Sequence, residues 1–322
     1  MSDYFSQPGL SQSGMKDLAI SPYRYWYLRV NPNAPLIEPS PQMVFGSALH
    51  CLILEPSQFE GRYARAISVS DFGECLITMD DLRGWLKDHG ISPRGVRKAD
   101  LIAQVTAEDP SVPIFDLVNE EFLRESLGKT ILRPDDWDRV HAAADSLVAE
   151  PELQAVLAAG EAEVAMTATD PETGVFLKSR MDWVSAAWTL DIKTFSQTRG
   201  KSIDETVNDA IWYEGYYRQA YLYSLIRSLQ PGFVKPGIGA AAPPFMFAFV
   251  ESTPPFETRI RVVRAKCGGE VNMLWERARI ETRELIRLYA ECMEHFGTDK
   301  PWRYAQEARV LADEDFRQLA YA

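Results

Sequence analysis

The residues best suited to catalysis lie in one short stretch, Arg180-Met-Asp182-Trp-Val-Ser-Ala-Ala-Trp-Thr-Leu-Asp191-Ile-Lys193-Thr. This pattern predicts two strands of a hairpin, with one acid on the first strand and an Asp-x-Lys triplet on the second. Because side chains alternate between the faces of a strand, Asp191 and Lys193 should point to the same face. Two carboxylates beside a lysine suit phosphodiester hydrolysis: the acids hold a hard divalent cation, and the lysine steadies or activates the attacking water.

The same triplet has a plainer interpretation. Acid-x-Lys triplets are common on solvated strand edges, where a cross-strand Asp/Lys pair is usually only a surface contact. The triplet alone favours this plainer interpretation. The catalytic one therefore depends on what the rest of the chain places around Asp191 and Lys193.

The composition is typical of a soluble globular protein. The chain has 322 residues, 46% of them hydrophobic and 25% charged, which suffices for one large domain with additions or for two domains. Without an apolar run of membrane-span length or a signal-peptide pattern, we expect no membrane partner and a cytoplasmic location. None of the four cysteines forms a Cys-x-x-Cys pair, so neither a zinc ribbon nor an iron–sulfur cluster is indicated.

The charge limits how the chain could meet nucleic acid. A net charge of −12 argues against a protein that coats DNA by bulk electrostatics. It does not exclude a nuclease, because a metal-binding site needs carboxylates and the basic residues can be confined to one channel.

The hydrophobic pattern predicts helices around a set of strands. Proline- and glycine-rich segments at 31–41 and 231–244 indicate loops. Three successive strands form an antiparallel meander, and Glu163, Asp182, Asp191 and Lys193 could converge on one end of it. Helices are expected at 11–21, 42–55, 134–159, 202–229 and 270–295, and strands at 162–169, 175–185, 188–195, 245–251 and 257–264.

A further candidate lies on the apolar helix at 42–55. Gly46 and His50 are four residues apart and share one helix face. A lone histidine on an apolar helix is usually a satisfied core residue. The small residues around it, Gly46, Ser47 and Ala48, nevertheless allow close approach of another element or of a metal.

Residues 76–108 differ in character from their surroundings. They predict a helix, a tight glycine turn and a second helix, with Thr78 as the N-cap. The loop is basic inside an acidic protein, carrying Arg94, Arg97 and Lys98. The segment resembles a SAP-type DNA-binding helical hairpin, but a solvated helical insertion explains the pattern equally well, and a protein-binding role is also open.

Taken together, these residues occur in an order that resembles the PD-(D/E)xK nuclease superfamily, in its exonuclease branch. The chain looks most like the phage and prophage exonuclease VIII family of recombination nucleases. Leu10-Ser-Gln-Ser13, the segment around Phe45-Gly46 and Pro301-Trp-x-Tyr304 fit that family as well, so the resemblance covers most of the chain. The motifs that carry it are Gly46-x-x-x-His50, Glu163, Asp182, Asp191-Ile-Lys193 and Gln219-x-x-x-Tyr223.

The resemblance implies an α/β fold, a PD-(D/E)xK nuclease core in which helices flank a mixed central sheet. Residues 1–75 would form the N-terminal, helical part of the nuclease domain and contribute His50. The SAP-like insertion at 76–108 would be the additional part, and residues 109–322 would form the nuclease core.

The resemblance also implies a role for each matched position. His50, Asp182, Asp191 and the backbone carbonyl of Ile192 would hold a metal ion, and Lys193 would be the catalytic lysine. The ion would be Mg2+, and Mn2+ could substitute because it tolerates a histidine ligand.

The remaining matches have less defined roles. Glu163 would lie near the metal or its waters, while Gln219 and Tyr223 would brace the DNA strand near the cut. Met181 stands where the family often has proline. Lys193 could lose its proton and act as a base, or stay charged and stabilise the transition state; the sequence leaves both open.

The activity implied is degradation of one strand of linear double-stranded DNA from an end, in the 5′→3′ direction, during phage-type recombination. The family also implies a ring-shaped homo-oligomer and a partner single-strand annealing protein. One alternative is a structure-specific or nicking endonuclease on the same core. Another is a catalytically inert DNA-binding adaptor, which is disfavoured because every expected catalytic position is filled.

Overall fold

The computed structural model describes residues 9–36, 38–231 and 243–304, so most of the loop expected at 231–244 lies outside the described residues. The helices are α1 (Gln12–Ile20), α2 (Pro22–Tyr25), α3 (Pro41–Leu54), α4 (Pro56–Arg62), α5 (Met79–Asp88), α6 (Lys98–Glu108), α7 (Phe115–Glu125), α8 (Pro134–Val148), α9 (Pro151–Leu157), α10 (Ile203–Tyr213), α11 (Tyr216–Ser228) and α12 (Met273–Phe296). A π-helical turn at Trp26–Val30 and a 3-10 turn at Val69–Asp71 complete them. The strands are β1 (Tyr63–Arg65), β2 (Thr130–Leu132), β3 (Glu161–Thr169), β4 (Phe176–Val184), β5 (Thr189–Phe195), β6 (Phe245–Glu251), β7 (Thr258–Val263), β8 (Lys266–Cys267) and β9 (Glu270–Val271).

The central sheet has five strands in the order β3-β4-β5-β6-β7. Strands β5 and β6 run parallel, whereas the other neighbours are antiparallel. Helices cover both faces, so β6 is buried along its whole length, as in sheets packed on two sides. The expected α/β class with a mixed central sheet flanked by helices is confirmed.

The side chains of β6 show how the two faces are filled. Phe245, Phe247 and Phe249 enter the core beneath α1, α11 and α12. The alternating residues Met246, Ala248 and Val250 enter the core beneath α3, α8 and α9. This period-two alternation is what a strand buried between two helical layers requires. It also separates the α3 side, which carries His50, from the α11 side, which carries Gln219.

Two of the expected helices are each divided into two. The helix expected at 134–159 stops at Val148 and resumes at Pro151, because proline has no N–H to donate and favours the first position of a new helix. The helix expected at 202–229 stops at Tyr213 and resumes at Tyr216, because Gly215 adopts a left-handed conformation with φ of 70°. This second break directs α11 towards β5.

Gly215 should therefore resist substitution. An added Cβ would lie 2.4 Å from Nη2 of Arg218, and the positive φ disfavours any side chain. We expect Gly215→Ala to lower the free energy of unfolding by about 1–2 kcal/mol, measured by chemical denaturation. Gly61→Ala is the matched control: it lies in α4 with no atom within 4 Å of its added Cβ, so its stability should be unchanged or slightly raised. Equal losses in both variants would contradict the argument.

Residues 76–108 fold as two helices, α5 and α6, with Thr78 as a capping-box N-cap of α5. They enclose a small core of their own, which extends to Ile114. The connection is the longer segment 89–97 rather than a tight glycine turn. A short parallel bridge between Leu76 and Ile114 joins the two ends of the unit.

Among the described residues, no helix combines the length and the apolar character needed to cross a bilayer.

Candidate metal centre

The site lies at a fork in the sheet. Strands β4 and β5 pair only at Trp183–Leu190 and Val184–Thr189, and then they separate. Side chains take over the backbone hydrogen bonds that the fork leaves open. The Ile192 N–H donates to Oδ2 of Asp182 at 2.7 Å, and Nε2 of His50 lies 2.9 Å from the Ile192 carbonyl oxygen.

Three side chains gather at this fork. One ligand atom from each of His50, Glu163 and Asp182 lies within 4.8 Å of the other two, and Nδ1 of His50 is 3.3 Å from Oδ2 of Asp182. An imidazole nitrogen and two carboxylates, with the Ile192 carbonyl beside them, form a donor set that suits Mg2+ and suits Mn2+ better because of the nitrogen. The residues present therefore fit a divalent cation.

Glu163 enters this group through an unusual backbone conformation. The register of β3 and β4 sets Glu163 opposite Asp182, so both side chains belong to one face. Its φ of 56° is left-handed, and the ladder has no regular bridge at that position. Such a conformation costs a non-glycine residue on the order of 1–3 kcal/mol, and strained conformations of this kind cluster at functional sites.

Electrostatic coupling sets the charge of the histidine. Burial alone would lower the pKa of His50, but the attraction and hydrogen bond of Asp182 outweigh burial, and the pKa is raised. Burial alone would raise the pKa of Asp182, and His50 with Lys193 overcomes it, so that pKa is lowered. The pair thus favours a protonated imidazole beside an ionised carboxylate in the metal-free protein.

Asp191 and Lys193 form a second group on the α11 side. The Lys193 ammonium pairs with Asp191, and Nε2 of Gln219 donates to Oδ1 of the same carboxylate. Burial, followed by the charge of Asp182, raises the pKa of Asp191 to about 6. Asp191 is not among the three residues that lie within 4.8 Å of one another. The Lys193 amine does face the acids, as the sequence predicts.

The structure places Gln219 and Tyr223 differently from one another. Gln219 is only 2% exposed and supports Asp191. Its Oε1 is buried without a hydrogen-bond partner. Tyr223, one turn later, lines a cleft next to His50 and Asp182. Tyr223, which is itself buried, therefore borders the cleft, whereas Gln219 lies beneath the site.

This cleft has a volume of about 600 Å3 and contains four basic side chains that sequence reasoning missed: Arg29, Arg62, Lys178 and Arg180. Arg180 pairs with Glu163, and Arg62 pairs with Glu55. Lys178, Arg180 and Asp182 alternate along β4, so they share one face and lead away from the fork. The two-residue spacing of Lys178, Arg180 and Asp182 could have indicated from the sequence that these basic residues lie next to the site.

A second cavity, also of about 600 Å3, opens on the other side of the site. Lys193, Ile192 and Tyr216 line it, and Ser47 and His50 line both cavities. Ser47 and His50 on α3 therefore border both cavities, while Glu163 and Asp182 line only the first.

The basic residues of the insertion line neither of these cavities. Arg97 pairs with Asp100 at 3.0 Å, and Lys98 pairs with Asp116 at 2.6 Å. The backbone N–H of Arg94 is held by Gln104. Neighbouring acids thus offset part of the positive charge that the sequence pattern shows.

Comparison with known proteins supports the fold. No protein family model matches the chain, and no curated protein matches it. The chain is similar to the crystal structure of a protein from Eubacterium rectale named "Putative exonuclease", at 15% identity and a TM-score of 0.50, with 98% of this chain and 97% of that chain covered. A second solved structure, SSO0001, is 14% identical, and the match covers 64% of this chain and 83% of that chain. Its TM-score of 0.26 is too low to carry an argument. The chain thus shares the fold of the first protein over nearly its full length.

Proposed function

We propose that this protein is a metal-dependent deoxyribonuclease. The observation that carries the proposal is the fork between β4 and β5, where His50, Glu163 and Asp182 face one another and the Asp191–Lys193 pair lies alongside. The shared fold with a protein named as an exonuclease points the same way. The sequence motifs described above add the resemblance to the PD-(D/E)xK exonucleases.

His50, Glu163, Asp182 and the Ile192 carbonyl would hold the cation, Mg2+ or Mn2+, and Asp191 is proposed as a further ligand. A bound cation would stabilise charge on the phosphate and lower the pKa of a water. Burial alone would lower the pKa of Lys193, but Asp191 outweighs it, and the pKa is raised in the metal-free protein. We propose that a charged Lys193 steadies the developing negative charge at the phosphate.

The finer proposal is a 5′→3′ exonuclease on linear double-stranded DNA in phage-type recombination. The cleft beside His50 and Asp182, lined by the basic residues Lys178 and Arg180, supports a DNA end placed there against the proposed cation. A ring-shaped homo-oligomer and a single-strand annealing protein as partner belong to this proposal, and both rest on the resemblance.

Labelled duplexes test the activity and the requirement for an end together. Linear duplex labelled at the 5′ or the 3′ terminus is incubated with Mg2+ and sized over time. Early release of the 5′ label as short product is the expected result. Covalently closed circular DNA should resist; its cleavage would instead indicate a structure-specific or nicking endonuclease. No cleavage of either substrate with Mg2+ or Mn2+ would overturn the nuclease proposal and leave the inert adaptor.

The SAP-like insertion is proposed as a DNA contact through Arg94, Arg97 and Lys98. Replacing all three by alanine should weaken duplex binding and flatten its salt dependence, since each lost phosphate contact lowers the slope by about one. Cleavage at saturating DNA should stay unchanged. Unaltered affinity would indicate that residues 76–108 bind protein or only solvent.

A further inference from the structure

We propose that Tyr216 is a positioning residue that holds the Lys193 ammonium group in place beside Asp191. The proposal rests on the proposed nuclease function, in which Lys193 steadies charge at the phosphate. It adds a residue to which the sequence motifs assign no role. The argument has three parts: the contact itself, the packing that fixes the ring, and the helix end that presents it.

The contact is a cation–π interaction. Nζ of Lys193 lies 4.7 Å from the centre of the Tyr216 ring, within the range at which a ring face attracts an ammonium group. The same ammonium pairs with Asp191. Lys193 has a four-carbon side chain with many rotamers, so two contacts restrict it far more than one.

The ring is itself firmly held. Its centre is 5.8 Å from that of Phe247 and 6.1 Å from that of Phe249. In the sheet, Phe247 is the register partner of Asp191, and Phe249 is the register partner of Lys193. Phe247 and Phe249 thus lie beside Asp191 and Lys193 in the sheet and also support the Tyr216 ring that contacts Lys193.

The start of α11 presents Tyr216 together with Gln219. The left-handed Gly215 ends α10 and makes Tyr216 the first residue of α11. One turn later, Gln219 donates to Asp191. A single helix end therefore orients both members of the Asp-x-Lys triplet, Gln219 through a hydrogen bond and Tyr216 through its ring.

Without the ring, Asp191 alone would hold the Lys193 ammonium. Glu214, which pairs with Lys16, lines the same cavity as Lys193 and Tyr216. A ring-free side chain at 216 leaves room for the ammonium to turn into this cavity and away from the fork. Misplacement of a reacting group by about 1 Å can cost on the order of 100-fold in rate.

Tyr216→Phe and Tyr216→Leu separate the ring from the hydroxyl, and Tyr216→Met is a second ring-free variant in case leucine disturbs folding. Cleavage of linear duplex should keep kcat within about twofold in Tyr216→Phe and lose about tenfold or more in both ring-free variants, with KM unchanged. Mn2+ affinity, measured by calorimetry, should not change. Tyr221→Leu is the control, because Tyr221 is on the same helix but packs edge-on against Trp275 at 5.5 Å; its kcat should match the wild type.

A spectroscopic measurement decides the geometry without relying on nuclease activity. In protein with 13C-labelled lysine, the Lys193 ε-methylene signal, assigned by its loss in Lys193→Arg, should be shifted upfield by the ring in wild type and Tyr216→Phe. It should return towards the position of an exposed lysine in Tyr216→Leu and Tyr216→Met. An unshifted wild-type signal, an unchanged kcat in the ring-free variants, or equal losses of kcat and Mn2+ affinity would overturn the proposal. If the wild type cleaves no DNA but the signal behaves as expected, the placement of Lys193 stands and the nuclease proposal alone fails.

Discussion

Asp191→Asn is expected to abolish DNA cleavage, by about 1000-fold or more, while DNA binding persists. The Asp191 carboxylate holds the Lys193 ammonium and accepts from Gln219, so an amide there removes the negative charge that places the lysine. It also removes a carboxylate that the proposed cation requires. Losses of this size are typical when an electrostatic or acid–base group of an active site is removed.

Asparagine is chosen over alanine because it preserves the shape of a side chain that is only 3% exposed. Breaking a buried ion pair leaves a charge without its partner, and that effect on stability must be separated from catalysis. Asp209→Asn is the matched control, since Asp209 forms an Asp–Lys pair with Lys201 at the surface. Cleavage by initial rates, duplex affinity with Ca2+ present and thermal unfolding should be measured for both variants.

The outcome distinguishes the two classes of function. An inert adaptor would bind DNA equally well before and after the substitution, and the wild type would cleave nothing. A nuclease would lose cleavage in Asp191→Asn and keep it in Asp209→Asn. Full activity in Asp191→Asn would remove Asp191 from the site and with it the mechanism proposed for Lys193.

Much of this site could be predicted from local pattern. In β5, Leu190 and Ile192 alternate with Asp191 and Lys193, whereas β6 is a continuous apolar run before its last residue. Within one strand the period of two already tells which side chains share a face. Helix starts were equally visible where a hydroxyl cap occurs, as at Ser11, Thr78 and Ser202.

What could not be predicted depends on contacts between distant parts of the chain. The separation of β4 from β5 decides that Asp182 caps the Ile192 N–H and faces His50, whereas Asp191 turns to Lys193 and Gln219. Both acids carry the same sequence signal, so only the register between strands tells them apart. The packing of Tyr216 on β6 arises in the same way, from elements that the sequence does not place side by side.

The left-handed backbone conformations of Gly215 and Glu163 could not be predicted from the sequence for a related reason. Glycine at 215 is compatible with a helix interior, and a glutamate at 163 gives no sign of a left-handed φ. Both conformations are imposed by what the neighbouring strands and helices require. The prediction of a single helix over 202–229 was wrong because helix propensity summed over a window does not detect one residue with positive φ.

His50→Gln is expected to weaken Mn2+ or Mg2+ binding by about 100-fold or more, beyond the roughly 10- to 100-fold that follows loss of a supporting partner of a ligand. His50 contributes the nitrogen of the donor set and contacts both Asp182 and the Ile192 carbonyl. Glutamine keeps a hydrogen-bonding side chain of similar reach, so the local fold should survive. His141→Gln is the matched control, because that histidine caps the Trp137 carbonyl on α8 at 2.9 Å and lies outside the donor set.

The raised pKa of His50 predicts how stability and metal affinity change with pH. Glu163, Asp182, Asp191 and Lys193 surround His50, and its folded pKa is raised. In chelator-treated protein, the imidazolium therefore adds stability that is fully present below its unfolded pKa of about 6.5 and is lost as pH rises through the folded value. A cation binds only the neutral imidazole, so metal affinity should rise with pH over that same window. The part of this rise in metal affinity that is centred near pH 6 comes from deprotonation of Asp191, and it should persist in His50→Gln. The part of the rise at higher pH comes from His50, and it should disappear in that variant. Calorimetric titration of Mn2+ between pH 5.5 and about 8.5 measures both parts of the rise. If the pH profile of Mn2+ affinity were the same in His50→Gln as in the wild type, His50 would not be a ligand.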